Sequence, residues 1–185
     1  MIQASNVRKG MSIIWNNEIY TVTRFDHLTP GNKRAIIQLE IKNLNNGKII
    51  TQRFRSGDQI EQATLDPHPA QFLYKDDTGF HFMDLGDYNS FPIGEDVVGD
   101  GKYYLKENLE LEVLFHDGKA VQLELPKNVI LEVTQAEPGI KGDSVSNNTK
   151  PVTLETGLTL QAPLFIEAGT RIRVDTRTGQ YLSRE

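Results

Sequence analysis

The sequence predicts an all-β protein made of small barrels in series, of the SH3-like and oligonucleotide-binding (OB) types. Short runs rich in Val, Ile, Phe, Tyr and Thr recur along the 185 residues, and Gly, Asn and Asp turn signals separate them. No long stretch has helical periodicity. Barrels of about 60 residues with about five strands each would account for this spacing.

The first predicted hairpin carries a Pro-Gly turn. After the turn, apolar residues recur at every second position, as a half-buried strand requires: Ala35, Ile37, Leu39 and Ile41. Pro30 fixes φ and Gly31 accepts a positive φ, so the turn leaves Asn32 at its tip, followed by Lys33 and Arg34. Two interpretations follow, an ordinary solvated hairpin or a finger that touches phosphates.

Charge is segregated along the chain and favours the second interpretation. Residues 1–62 hold nine cations and five anions, a net charge of +4, and residues 63–126 hold four cations and thirteen anions, a net charge of −9. Residues 127–185 hold seven of each. Because phosphate attracts a basic block and repels an acidic one, this pattern fits a protein that engages RNA through one end. Solubility alone is the alternative explanation.

The same three blocks are the predicted domains: 1–62, 63–126 and 127–185. Hairpin turns are predicted at 45–47, 76–79 and 117–118, the last within a two-strand ribbon over 111–125. One modest helix, broken by Gly99 and Gly101, is predicted near 95–105. The aromatic residues of 80–83 could stack on bases, but their acidic surroundings favour the barrel core.

Several functional classes are not supported. The chain has no cysteine, which removes disulfides, thiolate metal sites and cysteine nucleophiles. Its start has no signal-like apolar core and no run approaches the roughly 20 apolar residues of a membrane span, so we expect a soluble cytoplasmic protein that binds no membrane. There is no phosphate-binding P-loop, the four histidines share no ligand spacing, and adjacent acids diverge. We therefore predict no catalytic residue, no metal and no cofactor.

Three C-terminal segments resemble the bacterial elongation factor P family. They are EPGIKGD at 137–143, KPVTLETG at 150–157 and VDTRTGQYLSR at 174–184. The resemblance continues upstream through residues 74–83 and the Pro-Gly loop, so it covers essentially the full length in order. It implies an L-shaped, tRNA-like arrangement of a KOW/SH3-like first domain and two OB domains.

The resemblance also implies a function. Members of this family bind the 70S ribosome between the peptidyl-tRNA and exit sites. They help peptide-bond formation when consecutive prolines stall that step. The implied partners are ribosomal RNA and the CCA end and acceptor arm of the peptidyl-tRNA. The resemblance also implies that the protein is a monomer. The implied loop tip is Pro30, Gly31, Asn32, Lys33 and Arg34. The implied phosphate contacts are Arg8, Lys9, Arg24, Lys42, Arg53 and Arg55.

Two features depart from the family's pattern. Many members carry a lysine, or in one branch an arginine, after Pro-Gly, and an enzyme extends it, whereas an amide such as that of Asn32 cannot accept those additions. We therefore expect an unmodified tip, with a branch of altered function as the alternative. The second departure lies in the loop that the resemblance places near messenger RNA, which is often glycine-rich in the family. Its candidate RNA contacts are Asp143, Ser144, Ser146 and Asn147.

Three function classes remain open. The first is the translation factor just described. The second is a paralogue of the same fold with another stalling preference, and the third is a generic RNA-binding protein without a ribosomal role.

Overall fold

A computed structural model of the chain describes residues 1–29, 35–137 and 148–185. Over these residues the chain forms three sheets built of antiparallel strand pairs, with little helix. By its internal contacts it divides into two compact units, Met1–Pro67 with Leu114–Gln122, and His68–Val113 with Leu123–Glu185. The predicted all-β class is confirmed.

The first sheet has six strands in the order β1-β6-β2-β3-β4-β5. Its strands are β1 (Ile2–Gln3), β2 (Ser12–Trp15), β3 (Glu18–Leu28), β4 (Ile36–Asn43), β5 (Ile49–Arg55) and β6 (Gln59–Gln62), with a 3-10 turn at Ala4–Asn6. The period-two pattern of β4 is realised, because Ile37, Leu39 and Ile41 are fully buried. They pack with residues from the neighbouring strands into one core, so truncating Leu39 to Ala is expected to cost about 2–5 kcal/mol of stability.

Asparagines shape two hairpins of this sheet. Asn16 and Asn17 both have positive φ between β2 and β3, as a two-residue primed turn requires. In the predicted turn at 45–47, the buried Asn43 accepts hydrogen bonds from the backbone N–H groups of Asn45 and Asn46 at 2.8 and 3.1 Å. Its amide also donates to Glu18 Oε2 at 3.0 Å, so one side chain joins the turn to β3.

The second sheet has five strands in the order β11-β10-β7-β8-β9. Its strands are β7 (Asp66–Asp76), β8 (Gly79–Asp84), β9 (Ser90–Ile93), β10 (Glu110–His116) and β11 (Lys119–Glu124). Phe80 and Phe82 are buried against Phe72, which confirms that they belong to the core. The predicted helix is indeed broken: α1 covers Glu95–Val98 and a 3-10 turn covers Gly99–Tyr103, with Gly99 at φ +52°.

The third sheet also has five strands, in the order β14-β13-β12-β15-β16. Its strands are β12 (Asn128–Ala136), β13 (Thr149–Leu154), β14 (Thr159–Pro163), β15 (Arg171–Asp175) and β16 (Tyr181–Arg184). Leu131, Val133, Leu154, Ile166 and Ile172 fill its core. Tyr104 and Leu109 pack against the same cluster, so within the second unit this core continues beyond its own strands.

Candidate nucleic-acid interface

Strands β3 and β4 lead to and from the predicted loop tip. They pair from Tyr20 with Asn43 up to Leu28 with Ile36, the last pair before the tip. The tip residues lie outside the described residues: Pro30, Gly31, Asn32, Lys33 and Arg34. The paired strands therefore fix the position from which the loop departs.

One face of the β3-β4-β5 ribbon carries four of the six predicted phosphate contacts. Since Ile37, Leu39 and Ile41 point into the core, the residues between them point outward. Gln38 pairs with Arg53, and Ile36 pairs with Arg55 across the same strands. The outward face, as we call it, holds the cations Arg24, Lys42, Arg53 and Arg55.

A β-bulge at Thr23 puts Arg24 on the outward face. Val22 pairs with Ile41 and Arg24 with Glu40, so one residue of β3 has no partner across the ladder. In a regular strand Arg24 would point to the same side as the buried Val22, and the bulge reverses this. The Thr23 hydroxyl donates to Glu40, lying 2.8 Å from the carboxylate Oε1 and 3.0 Å from the carbonyl oxygen.

The outward face keeps a net positive charge. Asp26 pairs with Arg24 at 3.0 Å, and Glu40 is held by Thr23. Arg53 Nε donates to Gln38 Oε1 at 2.9 Å, which orients the guanidinium through a neutral partner. Among the residues that the structure describes, Lys42, Arg53 and Arg55 have no ion pair. Three cations thus remain available for phosphate oxygens.

The two remaining predicted contacts lie elsewhere in the first unit. Arg8 Nη1 donates to the carbonyl oxygens of Ser5 and Val7 at 2.8 and 2.7 Å, and its guanidinium lies 5.4 Å from the Phe25 ring. Phe25 pairs with Leu39 and packs on the core side of β3. Lys9 is exposed in the turn that follows Arg8. The structure therefore does not bring these two residues onto the outward face.

The second predicted RNA loop also lies outside the described residues, with its candidates Asp143, Ser144, Ser146 and Asn147. At its base, Ala136 pairs with Val152. The buried Lys150 donates from Nζ to the carbonyl oxygen of Glu137 at 2.7 Å. Sequence reasoning missed this lysine, since no local pattern separates a buried cation from a surface one.

His68, His81, Asp76 and Glu95 each have a hydrogen-bonding or ionic partner close by. His81 Nε2 lies 2.9 Å from Asp76, and the Thr78 hydroxyl and the His81 ring lower the pKa of Asp76 to about 2. His68 Nδ1 lies 2.8 Å from Asp84. Lys102 lowers the pKa of Glu95 by a hydrogen bond of 2.6 Å.

Over the described ranges no three His, Cys, Asp or Glu side chains form a metal-binding group, and no helix is long and apolar enough to cross a membrane.

Three family models match the chain in order. The elongation factor P KOW-like domain matches residues 3–60, the elongation factor P OB domain residues 65–123, and the elongation factor P C-terminal domain residues 129–184. The sheets described above agree with these KOW-like and OB assignments.

Full-length relatives carry the same name. Elongation factor P of Thermotoga petrophila is 43% identical over 184 residues and covers 100% of both chains. Elongation factor P of Acidobacterium capsulatum is 46% identical over 183 residues, 99% of this chain and 98% of the relative. Among solved structures, eukaryotic translation initiation factor 5A from Methanococcus jannaschii has a TM-score of 0.53 at 15% identity, covering 66% of this chain and 92% of that chain. That likeness concerns the fold.

Proposed function

The chain belongs to the elongation factor P family, and on that premise we propose that this translation elongation factor binds the ribosome beside the peptidyl-tRNA and relieves stalling at consecutive prolines. The observation that carries the proposal is the outward face, whose uncompensated cations lie on β4, which flanks the loop, and on the adjacent strand β5. Its proposed partners are the 70S ribosome, the CCA end and acceptor arm of the peptidyl-tRNA, and ribosomal RNA. It acts as a monomer.

In this proposal the outward face supplies binding. Lys42, Arg53 and Arg55 contact phosphates, and each contact releases a condensed counterion, which makes the affinity sensitive to salt. Gln38 holds Arg53 in one orientation without neutralising it. Phosphate contacts of this kind fix register and orientation and carry no base specificity.

The loop tip supplies orientation at the reacting end. The residues assigned to this role are Pro30, Gly31, Asn32, Lys33 and Arg34. Proline is a rigid and poor nucleophile, so holding the peptidyl-tRNA in a reactive geometry recovers part of the entropic barrier. The bond-forming chemistry stays with ribosomal RNA, and the factor itself provides no catalytic residue.

The C-terminal loop supplies a second contact with RNA in this proposal. Asp143, Ser144, Ser146 and Asn147 are its assigned residues, and Ser and Asn side chains donate and accept hydrogen bonds with RNA. Lys150 supports the base of this loop by its bond to the Glu137 carbonyl oxygen.

A second candidate is a paralogue with a different stalling preference. The residue that favours it is Asn32, which stands where many family members carry a lysine or arginine that is enzymatically extended. An amide at the tip offers a shorter, uncharged group to the tRNA end.

Translation of a Pro-Pro-Pro reporter in a reconstituted system, with and without the protein, tests the proposal. We expect the protein to increase full-length product from the Pro-Pro-Pro reporter and to leave a matched Ala-Ala-Ala reporter unchanged. Reporters that carry other stalling motifs distinguish the two candidates. The paralogue would increase full-length product from one of those reporters instead of from the Pro-Pro-Pro reporter. Absence of co-sedimentation with 70S ribosomes would contradict both candidates and favour a generic RNA-binding protein.

A further inference from the structure

Glu40 lies in the middle of the outward face, among the cations assigned to phosphate binding. It stands opposite Arg24 of β3, and Lys42 follows it on the same side of β4. Arg53 of β5 pairs with Gln38, so it lies diagonally across from Glu40. Residues directly opposite have Cβ atoms about 4.5–5.5 Å apart, and diagonal neighbours are within reach of long side chains. An unrestrained glutamate here would therefore form an ion pair with one of the three cations.

Over the described residues, Glu40 forms no ion pair with these cations. Its carboxylate instead accepts a hydrogen bond from the Thr23 hydroxyl, with Oγ1 2.8 Å from Oε1. The same hydroxyl lies 3.0 Å from the Glu40 carbonyl oxygen, and both side chains are half-buried. Because threonine is neutral, this bond fixes the carboxylate without occupying a cation.

The β-bulge brings Thr23 to Glu40. Arg24 is paired with Glu40 across the ladder, whereas Thr23 has no partner of its own there. At a bulge two residues of one strand oppose one residue of the other, so Glu40 is offered a neutral partner as well as a cation. Asp26 binds the cation, since it lies 3.0 Å from Arg24.

A second neutral side chain completes the separation of charges. Gln38 Oε1 accepts a hydrogen bond from Arg53 Nε at 2.9 Å, which holds the guanidinium beside Gln38. Thr23 holds the neighbouring carboxylate of Glu40. A carboxylate that loses its donor gains most by turning to a nearby cation, because charge-assisted hydrogen bonds are the strong ones. The Thr23 hydroxyl thus prevents a pairing that the sheet would otherwise permit.

We propose that Thr23 is a positioning residue for phosphate binding, whose hydroxyl holds the Glu40 carboxylate away from Lys42 and Arg53. The inference rests on the proposed ribosome binding and assigns a role to a residue that acts through Glu40. It also explains how an anion is accommodated in the middle of a phosphate-binding face.

Thr23→Val tests this role, because valine keeps the branched shape and removes the hydroxyl. We expect it to weaken binding to purified 70S ribosomes that carry a peptidyl-tRNA by about 3- to 10-fold at low salt. The slope of log affinity against log salt should fall by about 1, since one cation pairs with Glu40 instead of a phosphate. Thr23→Ser keeps the hydroxyl and should bind within about twofold of wild type.

Thr21→Val is the matched control. Thr21 lies on the same strand, is also half-buried and pairs with Lys42, and over the described residues its hydroxyl makes no hydrogen bond. Its loss should leave both the affinity and the salt slope within about twofold and about 0.3 of wild type, respectively. Equal losses for Thr21→Val and Thr23→Val would overturn the proposal, as would an unchanged affinity of Thr23→Val.

A double variant separates positioning from support of the bulge. Glu40→Gln removes the charge and keeps an acceptor for Thr23, so it should fold and bind at least as tightly as wild type. Adding Thr23→Val to Glu40→Gln should then change the affinity by less than about twofold. Weaker binding of Glu40→Gln, or a full Thr23→Val loss in the double variant, would contradict the proposal. Failure of the wild-type protein to bind would instead overturn the proposed function and this inference with it.

Discussion

Three cations of the outward face and three of the four lysines of the acidic middle third are arranged in opposite ways. On the outward face Arg53 bonds to the neutral Gln38, and the side chains of Lys42 and Arg55 form no ion pair within the described ranges. In the middle third, Glu95 lies 3.7 Å from Lys75 and 2.6 Å from Lys102. The third lysine compared, Lys106, lies 3.3 Å from Glu155.

In the proposed function, this difference separates binding charges from structural charges. Glu95 raises the pKa of Lys102, and Lys102 lowers that of Glu95, so each charge is stabilised by the other and projects little field into solvent. Exposed pairs of this kind contribute little to stability. A cation whose partner is neutral keeps its field and is available to a phosphate. Residue type alone would not distinguish paired from unpaired cations, because both regions contain lysine or arginine.

Charge reversal should give the largest contrast between the two regions. We expect Arg53→Glu and Arg34→Glu each to weaken ribosome binding by about tenfold or more at low salt, since a phosphate contact is lost and a repulsion added. Lys106→Glu should have a much smaller effect, because Lys106 is already paired with Glu155. Equilibrium binding to 70S ribosomes measures this, and equal losses for Arg34→Glu and Lys106→Glu would refute the assigned orientation.

Asn32→Ala sharpens the comparison by separating the tip from the outward face. It should reduce Pro-Pro-Pro translation several-fold while leaving ribosome affinity nearly intact, because the tip orients the reacting end and the cations bind. Recombinant protein should be fully active, and the tryptic peptide of residues 25–33 from natively expressed protein should have its unaltered mass. A stoichiometric added mass on Asn32 or Lys33, with activity lost in its absence, would contradict an unmodified tip.

Asp175 tests the structural role of compensated charges. Arg177 hydrogen bonds lower its pKa from 3.8 to about 2, so its contribution to stability is complete above about pH 4 and is lost as the pH falls toward 2. Asp175→Asn should lower the melting temperature by a few degrees at pH 7, and the difference from wild type should vanish near pH 2. The ribosome affinity of Asp175→Asn at pH 7 should stay within about twofold of wild type. A large loss of affinity would place the Asp175–Arg177 pair among the binding charges.

The smallest expected effect is a preference of proteases for the predicted domain boundaries. We expect three separable folding units with boundaries near Ala63 and Pro126, because the sequence pattern and the charge both change there. Limited proteolysis should cleave preferentially at those points. One uniformly cooperative core across residues 40–90 in a hydrogen-exchange map would argue against this division.

Sequence reasoning was sufficient where the signal is local. The alternation of Ile37, Leu39 and Ile41 predicted the buried side of β4, and the paired glycines predicted the broken helix. It could not place Arg24, because a bulge one residue earlier changes which side the arginine faces and no residue type marks it. It also missed Gln38 and Lys150, whose roles depend on partners that are distant in sequence.

Salt dependence of ribosome binding tests the central claim most directly. Two variants with equal loss of charge are compared, one with Lys42, Arg53 and Arg55 changed to Gln and the other with Lys75, Lys102 and Lys106 changed to Gln. We expect the first to reduce the slope of log affinity against log salt by about 2–3 and to weaken binding, and the second to leave the slope nearly unchanged. Equal changes in slope for the two variants would contradict the assignment of binding to the outward face.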